Sequence, residues 1–483
     1  MTTPPPNTIG MAGTWQRLGA RWMPFADIAT ADVPLSRLLR LSLFQLTVGM
    51  VQTLFFGTLN RVMIVELHVS ATVVSVMIAI PLLVAPFRAL IGFRSDTYRN
   101  VLGWKRVPFI WFGSLMQFGG LAMMPFALII LGGDQAWGPR LIAYAGSAIA
   151  FFLVGAGAHT VQTAGLALAS DIAPEGRRPR VIALMYVMLL VGTLISAFIL
   201  GGLLHQFSPV KLIQVIQGAA VFTMVVNSIA LWKQEARVRG VTPYKKGERR
   251  PLFRESWRLF VEGGAAVRLL TAVGLGFFAF NMQDVLLEPY GGEILGLTVG
   301  QTTWLTGIMA CGAITAFILS AKMLEGGLDA IRLAAIGIAI GIVAFATVVF
   351  AGPLHSVTVF RLGTFLIGMG EGFFGVGTLS AAMGLKDEAQ HGIALGAWGA
   401  VFATSEGLAL ASSGVVKDGV ARMMHLGMLS PGMEDPSVPY SVVYHIEIAV
   451  LFATLIALGP LVSMVRAGAI RRQQQFGLAD LPA

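Results

Sequence analysis

The sequence predicts an all-α integral membrane protein with twelve transmembrane helices in two six-helix, pseudo-symmetric halves. Three observations lead there. Of the 483 residues, 55% are hydrophobic and only 12% are charged, and the mean hydropathy is +0.75. That balance is far too apolar for a soluble globule. A helix needs about 20 apolar residues to cross the hydrocarbon core, and twelve stretches reach that length. The chain also begins again midway. The stretch LNRVMIVEL (59–67), which ends the first apolar run, has a counterpart in MQDVLLEPYGG (282–292), which ends the seventh.

In chain order, residues 1–39 form a tail. Its first 13 residues are proline-rich, polar and without periodicity. Between Thr14 and Ile28, Trp15, Leu18, Trp22, Met23 and Phe25 alternate with Arg17 and Arg21, a pattern suited to a short helix lying on a membrane surface. The first half, 40–232, carries spans at 40–64, 72–92, 107–131, 140–168, 181–204 and 212–232. A basic linker, 233–266, contains KKGERR. The second half, 267–466, carries spans at 267–287, 301–321, 332–351, 356–384, 391–415 and 441–465, and 467–483 is a second tail. Within MQDVLLEPYGG the helix is expected to break at Pro289 and the glycine pair.

Charge placement sets the orientation. Most of the 34 Lys and Arg residues fall in the tails, the linker and alternate loops on one side. The positive-inside rule makes that side cytoplasmic, together with both termini. The loop Val416–Tyr440 then faces outward. The net charge of +9 is explained by this placement and by contact with anionic lipid, not by nucleic acid. The single cysteine, Cys311, excludes an intramolecular disulfide and is a poor basis for a metal site. The N-terminus lacks a removable signal peptide pattern, so the first span is expected to direct insertion.

The repeat extends further. LVGAG (153–157) in the fourth span resembles LIGMG (366–370) in the tenth, at the same depth in each half. Glycine at such density lets helices pack closely in lipid. Two six-helix halves in parallel register, joined by a basic cytoplasmic linker, match the major facilitator architecture. The facilitator signature loop between the second and third spans, usually GxxxDRxGRR, is altered here. Gly92–Arg106 reads GFRSDTYRNVLGWKR, keeping Gly92 and Asp96 and placing Lys105 and Arg106 beyond an insertion.

Five stretches narrow the assignment: LSLFQLTVGM (41–50), GTLNRVMIVEL (57–67), SDIAPEGRRPRVIALMYVMLLVG (170–192), MQDVLLEPYGGEILGL (282–297) and LGAWGAVFAT (395–404). From about Leu35 to residue 465 the chain resembles the PucC and LhaA family, the bacteriochlorophyll-delivery branch of the major facilitator superfamily. The resemblance implies a non-enzymatic assembly factor for light-harvesting antenna complexes. Its implied partners are antenna polypeptides and bacteriochlorophyll, with pigment synthase and the membrane insertion machinery as further candidates.

Polar groups inside spans are the candidate functional residues, because each is costly in lipid unless paired or used. Arg61, Asp284 and Glu288 form an expected inter-half cluster, either a binding or gating site or a structural ion pair, with Arg61 and Asp284 at equivalent points of the repeat. His159 and Gln162 in the fourth span and Glu371 in the tenth are expected to approach a central cavity. Given the resemblance, His159 is the candidate axial ligand for bacteriochlorophyll magnesium, with Gly155 and Gly157 leaving room for a flat macrocycle; a hydrogen-bonded bundle histidine is the alternative. Glu406 is expected to line the cavity, while Arg88 and Arg361 are expected to snorkel or pair. Trp104, Trp111, Trp137 and Trp232 read as an interfacial belt. The competing function is a proton-coupled secondary transporter using Asp284, Glu288, Glu371 and Glu406. An enzyme is disfavoured, since no loop carries the paired aspartates of a diphosphate site.

Overall fold

The computed structural model describes residues 33–84, 91, 95, 103–131, 140–173, 178–235, 264–384, 391–429 and 433–475, and all secondary structure among them is helical. The elements are α1 (Leu35–Glu66) and α2 (Ala71–Leu82), then α3 (Val107–Leu131), α4 (Arg140–Ile172), α5 (Arg178–Leu203) and α6 (Pro209–Leu231). The second half has α7 (Ala265–Glu293), α8 (Val299–Glu325), α9 (Ala330–Ala351), α10 (Val357–Gly384), α11 (His391–His425) and α12 (Val438–Gln475). Among the described residues, eleven helices are long and apolar enough to cross a membrane, and α2 is a shorter apolar helix. The expected surface helix at 14–28, Arg88, Trp137 and linker residues 236–263 lie outside the described residues.

Local sequence explains where helices begin. Ser70 accepts from the Val73 N–H, Ser208 from Lys211 N–H, and Asp329 from Ile331 and Arg332 N–H. Thr298 and Gln301 form a reciprocal capping box at the start of α8. Each satisfies backbone donors that a helix start leaves open. Pro34 sits just before α1 and Pro209 in the first turn of α6, where the missing N–H costs nothing.

The two halves repeat one set of neighbours. In the first, α3 packs on α4 and α6, and α1 on α5 and α6; in the second, α9 packs on α10 and α12, and α7 on α11 and α12. The halves meet along two seams, α5 against α8 and α2 against α11. The glycine motifs act in matched places. A β-carbon on Gly157 would lie 2.6 Å from the Gly113 carbonyl oxygen of α3, and one on Gly370 would lie 2.9 Å from the Gly337 carbonyl oxygen of α9. Gly155 is closed over by Pro81 and Gly368 by the backbone of Met309. Both pairs therefore let helices approach to backbone contact. Outside this packing, Phe112 and Phe126 of α3 and Trp232 after α6 are exposed, which in this fold is the lipid side.

Most boundaries shift by a few residues from the sequence expectation, and three of the shifts change a tail or a loop. α1 begins at Leu35 rather than residue 40, and α12 runs to Gln475, so both tails are shorter. α11 continues to His425 rather than ending at 415, so the expected loop from Val416 is helical for most of its first turns. Its polar residues Lys417 and Asp418 depress hydropathy there but have partners, the Tyr440 ring for Lys417 and the start of α2 for Asp418, so the helix persists.

Candidate functional site at the junction of the halves

α1 and α7 are the equivalent first helices of the two halves, and both lose regular geometry at the same level. α1 widens into π-helical turns at Phe55–Leu59 and Val62–Glu66. α7 tightens into a 3₁₀ turn at Gln283–Val285 before Leu287–Glu293 resumes as α-helix. The break thus falls at Gln283–Val285, with Asp284 in its middle, correcting the expected break at Pro289. Pro289 falls in the first turn of the resumed helix, where proline is tolerated.

An irregular turn at membrane depth frees backbone carbonyls that need donors. Asn60, fully buried on α1, supplies them. Its Nδ2 lies 3.3 Å from the carbonyl oxygens of both Asp284 and Val285 and donates to Glu288 Oε2 at 2.9 Å. Its Oδ1 accepts the Arg61 N–H at 2.7 Å. Glu288 Oε1 accepts the Thr306 hydroxyl of α8 at 3.2 Å. One amide therefore joins α1 to α7, and the Glu288 carboxyl joins both to α8. Beside it, the Thr58 and Thr303 hydroxyls are 3.1 Å apart, and Thr303 donates to the Gly57 carbonyl at 2.9 Å.

Arg61 also belongs to this junction, but with a different partner from the expected one. Its Nη1 pairs with Glu66 Oε1 at 2.5 Å, and Nη2 donates to the Leu297 carbonyl oxygen at 3.1 Å. Asp284 instead accepts from Gln283 Nε2 within its own turn. The Arg61–Asp284 ion pair is thus replaced by Arg61–Glu66, because the π-turn brings Glu66 back over its own helix. Gly292 is the floor for the guanidinium: a β-carbon there would sit 2.8 Å from Arg61 Nε.

The second seam is closed by Asp418, a residue placed in a loop by the sequence reading. Its Oδ2 accepts the Thr72 N–H and hydroxyl, each at 2.7 Å, and Oδ1 accepts the Ala71 N–H at 3.3 Å. A carboxylate from α11 thereby caps the N-terminus of α2 across the halves, aided by the helix dipole. At the opposite end of the bundle the altered signature loop is tied within the first half. Arg106 Nε pairs with Asp171 Oδ2 at 3.0 Å, and Glu235 accepts the backbone N–H groups of Lys105, Arg106 and Val107.

The remaining candidates fall into two sets. Glu371 of α10, Glu406 of α11 and Glu288 lie within electrostatic reach of Asp284. Glu447 of α12, absent from the sequence candidates, also reaches Asp284 and is fully buried. The second half thus gathers five carboxylates from four helices. His159 and Gln162 stay on α4 in the first half, His159 half-buried and Gln162 buried. The macrocycle space expected beside His159 is not on the glycine faces, because Pro81 fills the position over Gly155 and Gly113 with Gln117 fills that over Gly157. A chlorin ring does not fit there. Arg361 is half-buried at the start of α10. Trp111 and Trp232 are exposed, as a belt requires, and Trp104 is half-buried.

Sequence reasoning missed Asn60, Asp418 and Glu447. A signal for Asn60 was present: in the repeat, Asn60–Arg61 aligns with Gln283–Asp284, so an amide precedes the charge in both copies.

Comparison with known proteins agrees with this scaffold. Residues 58–465 match the family described as PUCC protein. An uncharacterized protein in the puhA–bchM intergenic region of Rhodobacter capsulatus is 52% identical over 96% of this chain and 98% of its own length. Protein PucC of Rhodovulum sulfidophilum is 53% identical over 83% of this chain and 89% of its own. The bacteriochlorophyll synthase 44.5 kDa chain of Rhodobacter capsulatus is 28% identical over 81% and 88%. Among solved structures, a bacterial homolog of the human lysosomal transporter Spinster superposes with a TM-score of 0.63 at 15% identity, covering 88% of this chain and 95% of that one. The last likeness concerns the fold alone.

Proposed function

The chain belongs to the PUCC protein family, and from that premise we propose that it is a non-enzymatic membrane assembly factor for bacterial light-harvesting antenna complexes. It delivers bacteriochlorophyll, chaperones antenna polypeptides during insertion, or does both. One observation carries the reading: relatives named PucC are about half identical to this chain across most of both lengths, and the family match, residues 58–465, spans Asn60 and the Gln283–Glu288 stretch. The relative named as a bacteriochlorophyll synthase chain supports a link to pigment supply. A facilitator-type bundle suits either task. Pigment passes through an interior lined by polar anchors, and single-span polypeptides dock on the apolar outer faces of helices such as α3. His159 is the proposed magnesium ligand, approached from a face of α4 other than the one bearing Gly155 and Gly157. Both termini are proposed to be cytoplasmic, in the inner or intracytoplasmic photosynthetic membrane.

The test is genetic and spectroscopic. In a strain lacking this chain, antenna absorbance is expected to fall while transcripts for the antenna polypeptides stay constant, and the cloned chain restores it. Normal antenna absorbance in that strain would overturn the assignment.

A further inference from the structure

The second half gathers acidic side chains from four helices in its interior. Asp284 and Glu288 come from α7, Glu371 from α10, Glu406 from α11 and Glu447 from α12. Asp284 is within electrostatic reach of the other four. The nearby buried cation, Arg61, is already held by Glu66 and the Leu297 carbonyl. Among the described residues, none of Asp284, Glu288, Glu371 and Glu447 forms an ion pair.

The acids differ in how they are satisfied. Glu288 has Asn60 and Thr306, and Asp284 has Gln283. Glu447 has nothing: it is 0% exposed, and neither carboxyl oxygen has a hydrogen-bond partner. A buried polar group without a partner is costly, and an ionised one far more so. Such a residue is a ready acceptor for a small cation that lowers that cost. Of the three helices packed on α12, α7 presents Asp284, Glu288 and Tyr290, and the buried face of α9, from Ile331 to Ala351, is entirely apolar. α11 presents Glu406, and its Lys417 stands over the Tyr440 ring, 5.1 Å from the centroid, toward the start of α12 and away from Glu447. Glu447's own helix adds Tyr440 and Tyr444, and the Tyr444 hydroxyl is likewise without a partner. No trio of side chains among the described residues is arranged to hold a metal ion. The remaining small cation that matches dispersed, desolvated carboxylates is the proton.

We propose that Glu447 and Asp284 form a proton-binding site that fills and empties as the junction at Asn60 closes and opens. Each loading event forms one O–H bond on a carboxylate from one hydronium ion and involves no redox change. The link to the junction is covalent and short. Asp284 carries the carbonyl that Asn60 grips, so a change of charge on its side chain acts on the same 3₁₀ turn that Asn60 pins. The assembly role does not depend on this site, and the site does not depend on that role.

The test uses the full chain in lipid nanodiscs. Spin labels go on Val210→Cys and Leu354→Cys in a Cys311→Ser background; both positions are exposed, one in each half, at the end of the bundle that carries Asn60. Infrared spectra report protonated carboxyl groups, and pulsed dipolar spectroscopy reports the label separation, across a pH titration. In the parent, the carboxyl band and the separation are expected to change together with one midpoint. Glu447→Gln removes part of the band and leaves the separation pH-insensitive. Asp284→Asn does the same and serves as the readout if Glu447→Gln does not fold. A separation that ignores pH in the parent, or responds equally in the parent and the variants, overturns the proposal.

Discussion

The two halves share a skeleton and differ in chemistry. In both, the equivalent glycines press the fourth helix of the half onto its third, and the first helix turns irregular at the junction. Both interiors hold amides and hydroxyls, in the first half Gln45, Gln117 and the Thr47–Asn227–Ser114 chain of hydrogen bonds, but the second half adds buried carboxylates such as Glu288 and Glu447. Repetition preserved what packing requires, namely small residues at fixed contacts. It did not preserve side chains that packing leaves free, and there the halves differ in chemistry.

The packing side of that comparison predicts the largest effect. Gly157→Ala and Gly370→Ala each force a β-carbon onto a neighbouring backbone, so each is expected to cost about 1 to 3 kcal/mol, as overpacked cores do. Gly119→Ala, which meets nothing within 4 Å, leaves stability unchanged. Thermal unfolding followed by fluorescent size-exclusion chromatography measures all three, and a large loss in one half only would break the claim of matched packing.

The junction ranks next. Asn60→Ala strips donors from two carbonyls and a buried carboxyl, an expected loss of about 1 to 3 kcal/mol. Gln283, its counterpart in the repeat, is bonded at one end only: Nε2 donates to Asp284 while Oε1 has no partner, so Gln283→Met is expected to cost less than Asn60→Ala, about 1 kcal/mol. Equal losses at the two positions would remove the asymmetry proposed for the junction. Smaller still is the effect at the partly exposed end of the Arg61–Glu66 pair: Glu66→Arg costs about 1 kcal/mol, and adding Arg61→Glu recovers most of it. Recovery by reversing Arg61 with Asp284 instead would contradict the geometry.

The smallest structural effect is expected at His159. His159→Ala keeps expression and melting temperature, and loses bound bacteriochlorophyll if the imidazole ligates magnesium. Unchanged pigment content would take His159 out of the site.

The scaffold was legible because lipid imposes a coarse rule on long stretches of sequence. The third span, 107–131, coincides with α3, and 332–351 differs from α9 by two residues at its start. Apolar length failed where polar residues were satisfied locally or across a seam. Asp418 looked like a loop residue because its partners, the N–H groups of Ala71 and Thr72, lie more than three hundred positions away in the chain. Scanning spans for charge found Arg61 and Asp284 but paired them wrongly, since a π-turn in one helix and a 3₁₀ turn in the other cannot be read from hydropathy. Asn60 escaped because it carries no charge. Glu447 escaped because it stands near the start of its span, where a carboxylate reads as interfacial; only tertiary packing reveals that it is sealed from water.

The most direct measurement is purification of the tagged chain from photosynthetic membranes, followed by mass spectrometry, absorption spectroscopy and pigment extraction, with an unrelated facilitator-type protein as control. The account predicts antenna polypeptides or bacteriochlorophyll in near-stoichiometric amounts with this chain and neither with the control. Repeating it in a host without antenna polypeptides separates direct pigment binding, which persists, from polypeptide chaperoning, in which pigment disappears. Finding neither antenna polypeptide nor pigment above the control would contradict the assignment to antenna assembly.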